Sequence, residues 1–423
     1  MGRILGGLNP TATAMRSQMA ASFPNWDITR LLALALRRAQ RRRYSSIKSC
    51  LRRYDLRTTQ LKTRSPRIRT AGSTSTPTPT ICPKPNPLWN LTTLIMSRYA
   101  ESHLNTSGPG DARPTALQII QDEGLEGALQ DRVFLITGVS SGIGIETGRA
   151  IAATGAKVFL TARDLKKGQA ACESFLKPGR VEMLELDTSK LDSVRACAKA
   201  FLKRSSKLNV LICNAGVMHI PTREETADGF EMQLATNYLG HFLLFWLLKD
   251  AILEGGRATG SSSRLVHVSS SGHHASEIVF DDFQLKQDYD PSKAYGQSKL
   301  AQIYMANYVD RNLGTEGIHA LSLMPGGIAT NLQKHFPKEV TDQWAKDPNV
   351  LNFMKSPEQG AATTVLAAVG KDWEWKGGKY LEDCQIAAPE PLVPGVKGVK
   401  DYAYSEAKED KLWELTLKTL NLS

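Results

Sequence analysis

At 294–301 the chain reads AYGQSKLA, which sets Tyr295 and Lys299 four residues apart. That spacing brings two side chains together on one face of a helix. A phenol beside an ammonium can be tuned to exchange a proton near neutral pH. Any exposed helix face can carry the same pair, so the pair alone leaves both readings open. A second constellation lies upstream, where the apolar run RVFLITG (132–138) leads into TGVSSGIG (137–144). Gly138 suits a tight turn, Gly142 lets backbone approach a pyrophosphate, and Gly144 lets the next helix pack close to its strand. Phosphates would then lie at that helix's N-terminus, where free N–H groups favour anions. A glycine-rich turn without a ligand is the plainer reading; the place of this one, between the first strand and a helical pattern, favours a dinucleotide. Arg163 follows Gly144 by 19 residues at the end of the second apolar run. A guanidinium there suits a ribose 2′-phosphate, so NADP is favoured over NAD. Asp164 comes next and suits the opposite preference, and Arg163 could equally be a solvated strand-end charge.

These groups need a scaffold, and the rhythm from about Gln130 supplies one. Short apolar runs at 132–138, 157–163, 181–187, 209–216, 264–270 and 318–326 alternate with helical patterns, among them 164–176 and 189–205. A seventh run is possible near 378–384. Strands apolar throughout, separated by helices, mean a parallel sheet covered on both faces. The expected fold is α/β, a doubly wound parallel sheet (Rossmann fold) over 130–423, preceded by a lead-in over 96–129. HFLLFWLLKDAIL (241–253) is interrupted by Lys249 and Asp250, so it reads as a buried helix rather than a membrane span.

The +11 formal charge is unevenly spread. Residues 1–95 hold 17 Lys/Arg against two Asp, a net of +15, while the remainder nets −4, with 36 basic and 40 acidic residues. The basicity therefore belongs to the first 95 residues, and nucleic-acid binding rests on that stretch alone. Its arginine run and its Ser/Thr/Pro tract TAGSTSTPTPTICPKPNP predict a disordered extension. It reads either as an organellar transit segment or as a stretch outside the mature protein, with synthesis starting at Met96. The six cysteines form no C-x-x-C pair and the eight histidines no HExxH pattern. Neither a disulfide framework nor a metal centre is expected, and a reducing, cytoplasmic setting fits, or a mitochondrial one if residues 1–95 direct import.

TGVSSGIG, LELD, CNAG, ATNYLGHF, VHVSS, YGQSK and PGGIAT stand in the order and approximate spacing of the short-chain dehydrogenases/reductases. The resemblance runs from about Leu125 to the C-terminus. It implies that Tyr295 gives and takes the proton at the substrate oxygen and that Lys299 holds the nicotinamide ribose and lowers the tyrosine's pKa. It makes Ser270 the group that binds the carbonyl or hydroxyl oxygen, and Asn237 the support of a water-linked proton relay through Lys299. For the cofactor it implies a phosphate cradle of Gly138, Ser140, Ser141, Gly142, Ile143 and Gly144. Asp187 and Thr188 fall at the adenine end, Asn214, Ala215 and Gly216 beneath the ribose, and Pro325, Gly326, Ile328 and Thr330 beside the nicotinamide. Plainer roles exist for several of these: Asp187 as a helix cap, Asn214 as a turn former, Asn237 as a polar helix residue.

The 25 residues from Ser270 to Tyr295, together with SKLAQ, ATNYLGHFLL and GGKYLEDCQ, are similar to the retinol-dehydrogenase-like branch and to fungal members of unknown substrate. Cys213 stands where the family commonly has Asn, and Met324 where retinol-type members usually have His; the second departure weighs against a retinoid. The expected activity is hydride transfer between NADP and a carbonyl or alcohol of a lipophilic small molecule. Residues 331–360 would form a lid over the site or a pair of helices packed on the core. An epimerase or dehydratase of nucleotide-sugars is a competing reading, although TG-x-x-x-G-x-G opposes it. So is a cofactor-bound sensor without turnover, which has no need of Ser270, Tyr295, Lys299 and Asn237 together. The resemblance implies a homodimer or homotetramer, and the C-terminal KEDKLWELTLKTL reads as an amphipathic helix at a subunit contact.

Overall fold

The computed structural model describes residues 97–389 and 397–422. The extension read over 1–95 lies outside the described residues. In chain order the elements are helix α1 (Ala116–Asp122), strand β1 (Val133–Thr137), α2 (Ile143–Ala153), β2 (Lys157–Ala162), α3 (Leu165–Cys172), β3 (Val181–Glu185), α4 (Leu191–Leu202) and β4 (Val210–Cys213). They continue with α5 (Gly240–Thr259), β5 (Ser263–Val268), α6 (Pro291–Leu313), β6 (Ile318–Met324), β7 (Gly327–Ile328), α7 (Lys338–Trp344), α8 (Pro348–Phe353), β8 (Met354–Lys355) and α9 (Pro357–Gly360). Helix α10 (Ala362–Val369), β9 (Lys379–Glu382), β10 (Gln385–Ile386) and α11 (Glu406–Thr419) complete the chain.

Eight strands form one sheet in the order β10-β9-β6-β5-β4-β1-β2-β3, parallel except for the edge hairpin β9–β10. A small parallel pair, β7–β8, sits apart from it. The strands β1, β4 and β5 are buried along their whole length because helices cover both faces. On one face Leu135, Leu211, Leu265 and Ala320 meet α4, α5 and α6; on the other Ile136, Ile212, Val266 and Leu321 meet α1, α2 and α10. The strand order reverses between β1 and β4, which makes a crevice at their C-terminal ends.

The sequence expectation leaves two regions open. The stretch 96–129, expected as a lead-in, contributes α1, whose Ile119 and Ile120 are fully buried and which packs beside α2 and α10. Residues 331–360 do form helices, but α7 and α8 have no buried residue and are not core helices. The C-terminal amphipathic helix packs within the chain. In α11, Trp413 stacks on Tyr308 of α6 at 4.1 Å and meets Phe242 of α5 edge-on at 4.7 Å. Thr416 Oγ1 is hydrogen-bonded to the Tyr238 hydroxyl at 2.8 Å, and Glu409 accepts from Asn307 and Arg311. Trp413→Ala leaves a cavity against these rings. It is expected to lower stability by about 3 kcal/mol, read as a lowered denaturant midpoint; an unchanged midpoint would show that α11 does not hold the α5–α6 face.

Candidate active site

Helix α6 carries Tyr295 and Lys299 on one face. Its start is set by Asp290, whose carboxylate accepts from Lys293 N–H at 2.8 Å, and by Pro291 in the first turn, where its fixed φ suits a helix. Ser270 follows the end of β5 in extended backbone, its hydroxyl accepts from Gly272 N–H at 3.0 Å, and it borders Gly272 beside the Tyr295 ring, near enough to lower the phenol's pKa. The phenol ring lies hard against Gly272, where a Cβ would come within 2.5 Å of its Cε1. Gly296 in turn lies against the Gly272 carbonyl, at 2.8 Å from a Cβ position. Both glycines admit the tyrosine to the Ser270 turn, and sequence reasoning gave neither a role, although Gly296 lies inside AYGQSKLA and Gly272 two residues after VHVSS.

Lys299 is buried, its Nζ donating to the Val268 carbonyl at 3.0 Å and lying 5.5 Å from the Tyr295 ring centroid. Burial pushes the lysine down to about 7. The tyrosine is pushed up to about 12 by burial, against a smaller lowering by the Ser270 hydrogen bond. Burial and the Ser270 hydroxyl are the influences on the phenol here. Burial disfavours the charged forms of both groups.

Asn237 lies in the π-helical turn ahead of α5. Its amide is committed locally: Oδ1 accepts from Val217 N–H at 2.8 Å, and Nδ2 donates to the Val217 carbonyl and to Ser298 Oγ. Its main-chain carbonyl accepts from His241 Nδ1 and Gln302 Nε2. A Cβ placed on Gly216 would lie 3.1 Å from Asn237 Oδ1 and 3.6 Å from Lys299 Nζ, so Gly216, Asn237 and Lys299 come together.

On the facing side, Thr137, unremarked in the sequence, is the hub of the crevice. Its hydroxyl oxygen accepts from the N–H groups of Asn214 and Ala215 at 2.9 Å each. His241 Nδ1 donates to a carbonyl, so its Nε2 accepts from the Thr137 hydroxyl at 2.8 Å. Burial holds that imidazole neutral, down to about 4. Asn214 Nδ2 donates to the carbonyls of Thr137 and Gly138, at 2.8 and 2.9 Å. Its Oδ1 is buried without a partner among the described residues, open to a donor. Gly144 packs so closely on Gly138 that a Cβ would sit 2.2 Å from the Gly138 carbonyl. Ser140 and Ser141 are exposed at the mouth of the cradle, beside Ile143.

Thr330 closes on the cradle, its methyl 3.0 Å from where a Gly142 Cβ would stand, and Ile328 and Ile143 meet over Gly360. Pro325 and Gly326 lead from β6 into this loop. Thr188 is buried against the start of α5, its carbonyl 2.1 Å from a Gly240 Cβ position. Asp187 Oδ1 accepts from Ser189 N–H and Oγ–H, a local turn before α4. Arg163 is exposed at the end of β2, and Asp164 accepts from Lys167 N–H as the cap of α3. The glycine cradle, the strand-edge loop with its unpartnered Asn214 oxygen and the Pro325–Thr330 loop fit a dinucleotide laid across the switch point. Among the described residues no cluster fit for a metal ion and no helix long and apolar enough to cross a membrane occurs.

Burial of Lys299 has a pH signature. A lysine titrating near 7 when folded and near 10.5 when unfolded destabilises the fold fully below pH 7, and the cost recedes between pH 7 and 10.5. Lys299→Met is expected to melt above the wild type at pH 6, with the gap shrinking as pH rises from 7 to 10. Melting curves across that range check it, and a constant gap would place the lysine in a solvated environment.

Residues 132–341 match the family model described as short chain dehydrogenase. The chain is 52% identical over 327 residues to the short-chain dehydrogenase/reductase prx1 of Penicillium roqueforti, covering 77% of this chain and 96% of that one. It is 43% identical to the oxidoreductase calI of Penicillium decumbens, covering 78% and 99%, and 36% identical to human retinol dehydrogenase 11, covering 70% and 87%. Among solved structures, an uncharacterized protein from Mycobacterium paratuberculosis is 31% identical with a TM-score of 0.51, covering 68% of this chain and 92% of that one. The extended sequence similarity, the switch-point crevice and the Ser270–Tyr295–Lys299 arrangement agree: this chain belongs to the short-chain dehydrogenase/reductase family of nicotinamide-dependent oxidoreductases.

Proposed function

We propose that the protein transfers a hydride between NADP and a carbonyl or alcohol carbon of a lipophilic small molecule, with Tyr295 as the general acid/base. The observation that carries this reading is the convergence of Ser270 and Tyr295 at Gly272, with Lys299 on the same helix reaching Gly216 beyond the end of β4. The bound nicotinamide would supply or accept the hydride. A substrate oxygen between Ser270 and Tyr295 would be oriented by the serine hydroxyl and would exchange its proton with the phenol. Lys299, an ammonium on one side of pH 7 and an amine on the other, is suited to pass a proton on. Adjacent donors such as Lys299 Nζ and the cradle N–H groups would hold the cofactor's ribose and phosphates.

Two features support the finer points. Asp164, which blurred the choice of cofactor in the sequence, has a carboxylate oxygen turned to the cap of α3, while Arg163 is exposed at the end of β2 with no ion pair among the described residues. That favours a 2′-phosphate. On the substrate side, His219 is held at a left-handed φ of 59°, uncommon outside glycine. Gln233 accepts its N–H, and its Nε2 hydrogen-bonds Ser292 Oγ at 2.9 Å, three residues before Tyr295 on α6. Phe336, just beyond Thr330, packs tilted against the imidazole at 4.3 Å and meets Trp344 edge-on at 4.9 Å. This aromatic wall ties the 331–360 segment to the catalytic helix and acts as the lid's inner face, suited to an apolar substrate.

The full-chain protein is expected to consume NADPH faster than NADH with ring ketones or medium-chain aldehydes, followed by absorbance. Arg163→Ala should weaken NADPH binding about tenfold and leave NADH nearly unchanged. Equal loss for both cofactors would remove Arg163 from the 2′-phosphate, and an absence of turnover with every carbonyl class would oppose the reductase reading.

A further inference from the structure

Lys355 belongs to no motif, yet it is a lysine only 3% exposed, in a two-residue strand beyond α8. Its Nζ donates to the Pro325 carbonyl at 3.1 Å and to Asp383 Oδ1 at 2.9 Å. Its stem lies against Gly326, whose φ of +114° belongs to glycine and whose Cβ position would be 2.8 Å from the lysine Cδ. Through β7–β8 pairing Lys355 also stands opposite Ile328. One side chain thus touches or pairs with three of the residues placed beside the nicotinamide.

The charge has a built counterpart. Asp383, in the turn between β9 and β10 at a φ of 51°, also accepts from Lys397, and His103 Nε2 lies 3.7 Å away. Burial raises its carboxyl, but Lys355 and Lys397 outweigh that and hold it well below the usual carboxylate range. Behind the strand, buried Arg113 donates to the carbonyls of Phe353 at 2.9 Å, Met354 at 2.6 Å and Gly108 at 3.0 Å. The segment ahead of β1 therefore fixes the backbone that presents Lys355. A buried ion pair is a costly way to fill a core, and an apolar side chain often serves stability as well. What an apolar residue cannot do is orient a carbonyl. Because a trans peptide is planar, turning the Pro325 oxygen toward Lys355 turns the Gly326 N–H to the opposite side.

We infer that Lys355, clamped by Asp383, is the positioning residue of the nicotinamide loop, setting the Pro325–Gly326 peptide plane so that the loop can hold the nicotinamide end of the cofactor. The inference rests on the NADP reading above. It predicts an effect confined to one end of the dinucleotide. Adenosine 2′,5′-bisphosphate engages the adenine end only, whereas NADPH engages both ends.

Binding of each to wild type and Lys355→Met, by fluorescence or calorimetric titration, makes the test. NADPH is expected to weaken at least tenfold in the variant, with bisphosphate affinity unchanged. Should Lys355→Met not fold, Lys355→Gln, neutral but able to hydrogen-bond, is expected to show the same split. Equal weakening of both ligands would reduce Lys355 to a general stabiliser and overturn the inference, as would unchanged NADPH affinity. Wild-type protein that binds neither ligand would overturn the NADP reading itself, and this inference with it.

Discussion

The site depends on what happens between β1 and β4, where the strand order reverses. Helices leave the two strands toward opposite faces, and the chain must be held open there without exposing unpaired backbone. Thr137 and Asn214 do this. The threonine oxygen accepts the two N–H groups at the end of β4, and the asparagine amide bridges the carbonyls at the end of β1. Through His241 the same threonine reaches the Asn237 carbonyl, and so the turn that borders Lys299. Cradle and catalytic helix are thus parts of one hydrogen-bonded unit rather than two features that happen to face one crevice.

Burial then decides the electrostatics. A lysine whose Nζ donates to a carbonyl, a tyrosine beside a serine hydroxyl and a neutral histidine all sit where water does not stabilise charge. The lysine loses its proton easily and the tyrosine keeps its own. That leaves the phenol protonated at neutral pH, the state that the proposed donation to a substrate oxygen requires. Around this neutral centre the stronger charges are paired and set back, as in Lys355–Asp383 behind the Pro325 loop.

Much of the fold was legible because parallel strands buried on both faces read as continuous apolar runs, and six such runs became strands within a few residues of the expected bounds. The seventh, at GKYLEDC, became β9. Its antiparallel partner β10 is two residues long, too short to leave a pattern. Helix α1 escaped for a related reason: ALQIIQD has only seven residues, and its burial comes from α2 and α10 rather than from its own periodicity. Within the site, Ser270, Tyr295, Lys299 and the cradle glycines were singled out from spacing and resemblance, and the structure brings Ser270 and Tyr295 together at Gly272. The supports were not singled out. Thr137, His241 and Lys355 are ordinary residues whose importance lies in what the tertiary fold places against them, and the pKa values of the tyrosine–lysine pair depend on a depth of burial that spacing does not encode.

The central claim is that the Tyr295 phenol moves the proton while other groups hold the cofactor. It is tested most directly by comparing wild type with Tyr295→Phe in single-turnover NADPH oxidation with a reactive carbonyl, with NADPH affinity measured in parallel. The account predicts a fall of about a hundredfold or more in the rate, with affinity little changed. A rate within a few-fold of wild type would contradict it and move the proton chemistry to another group.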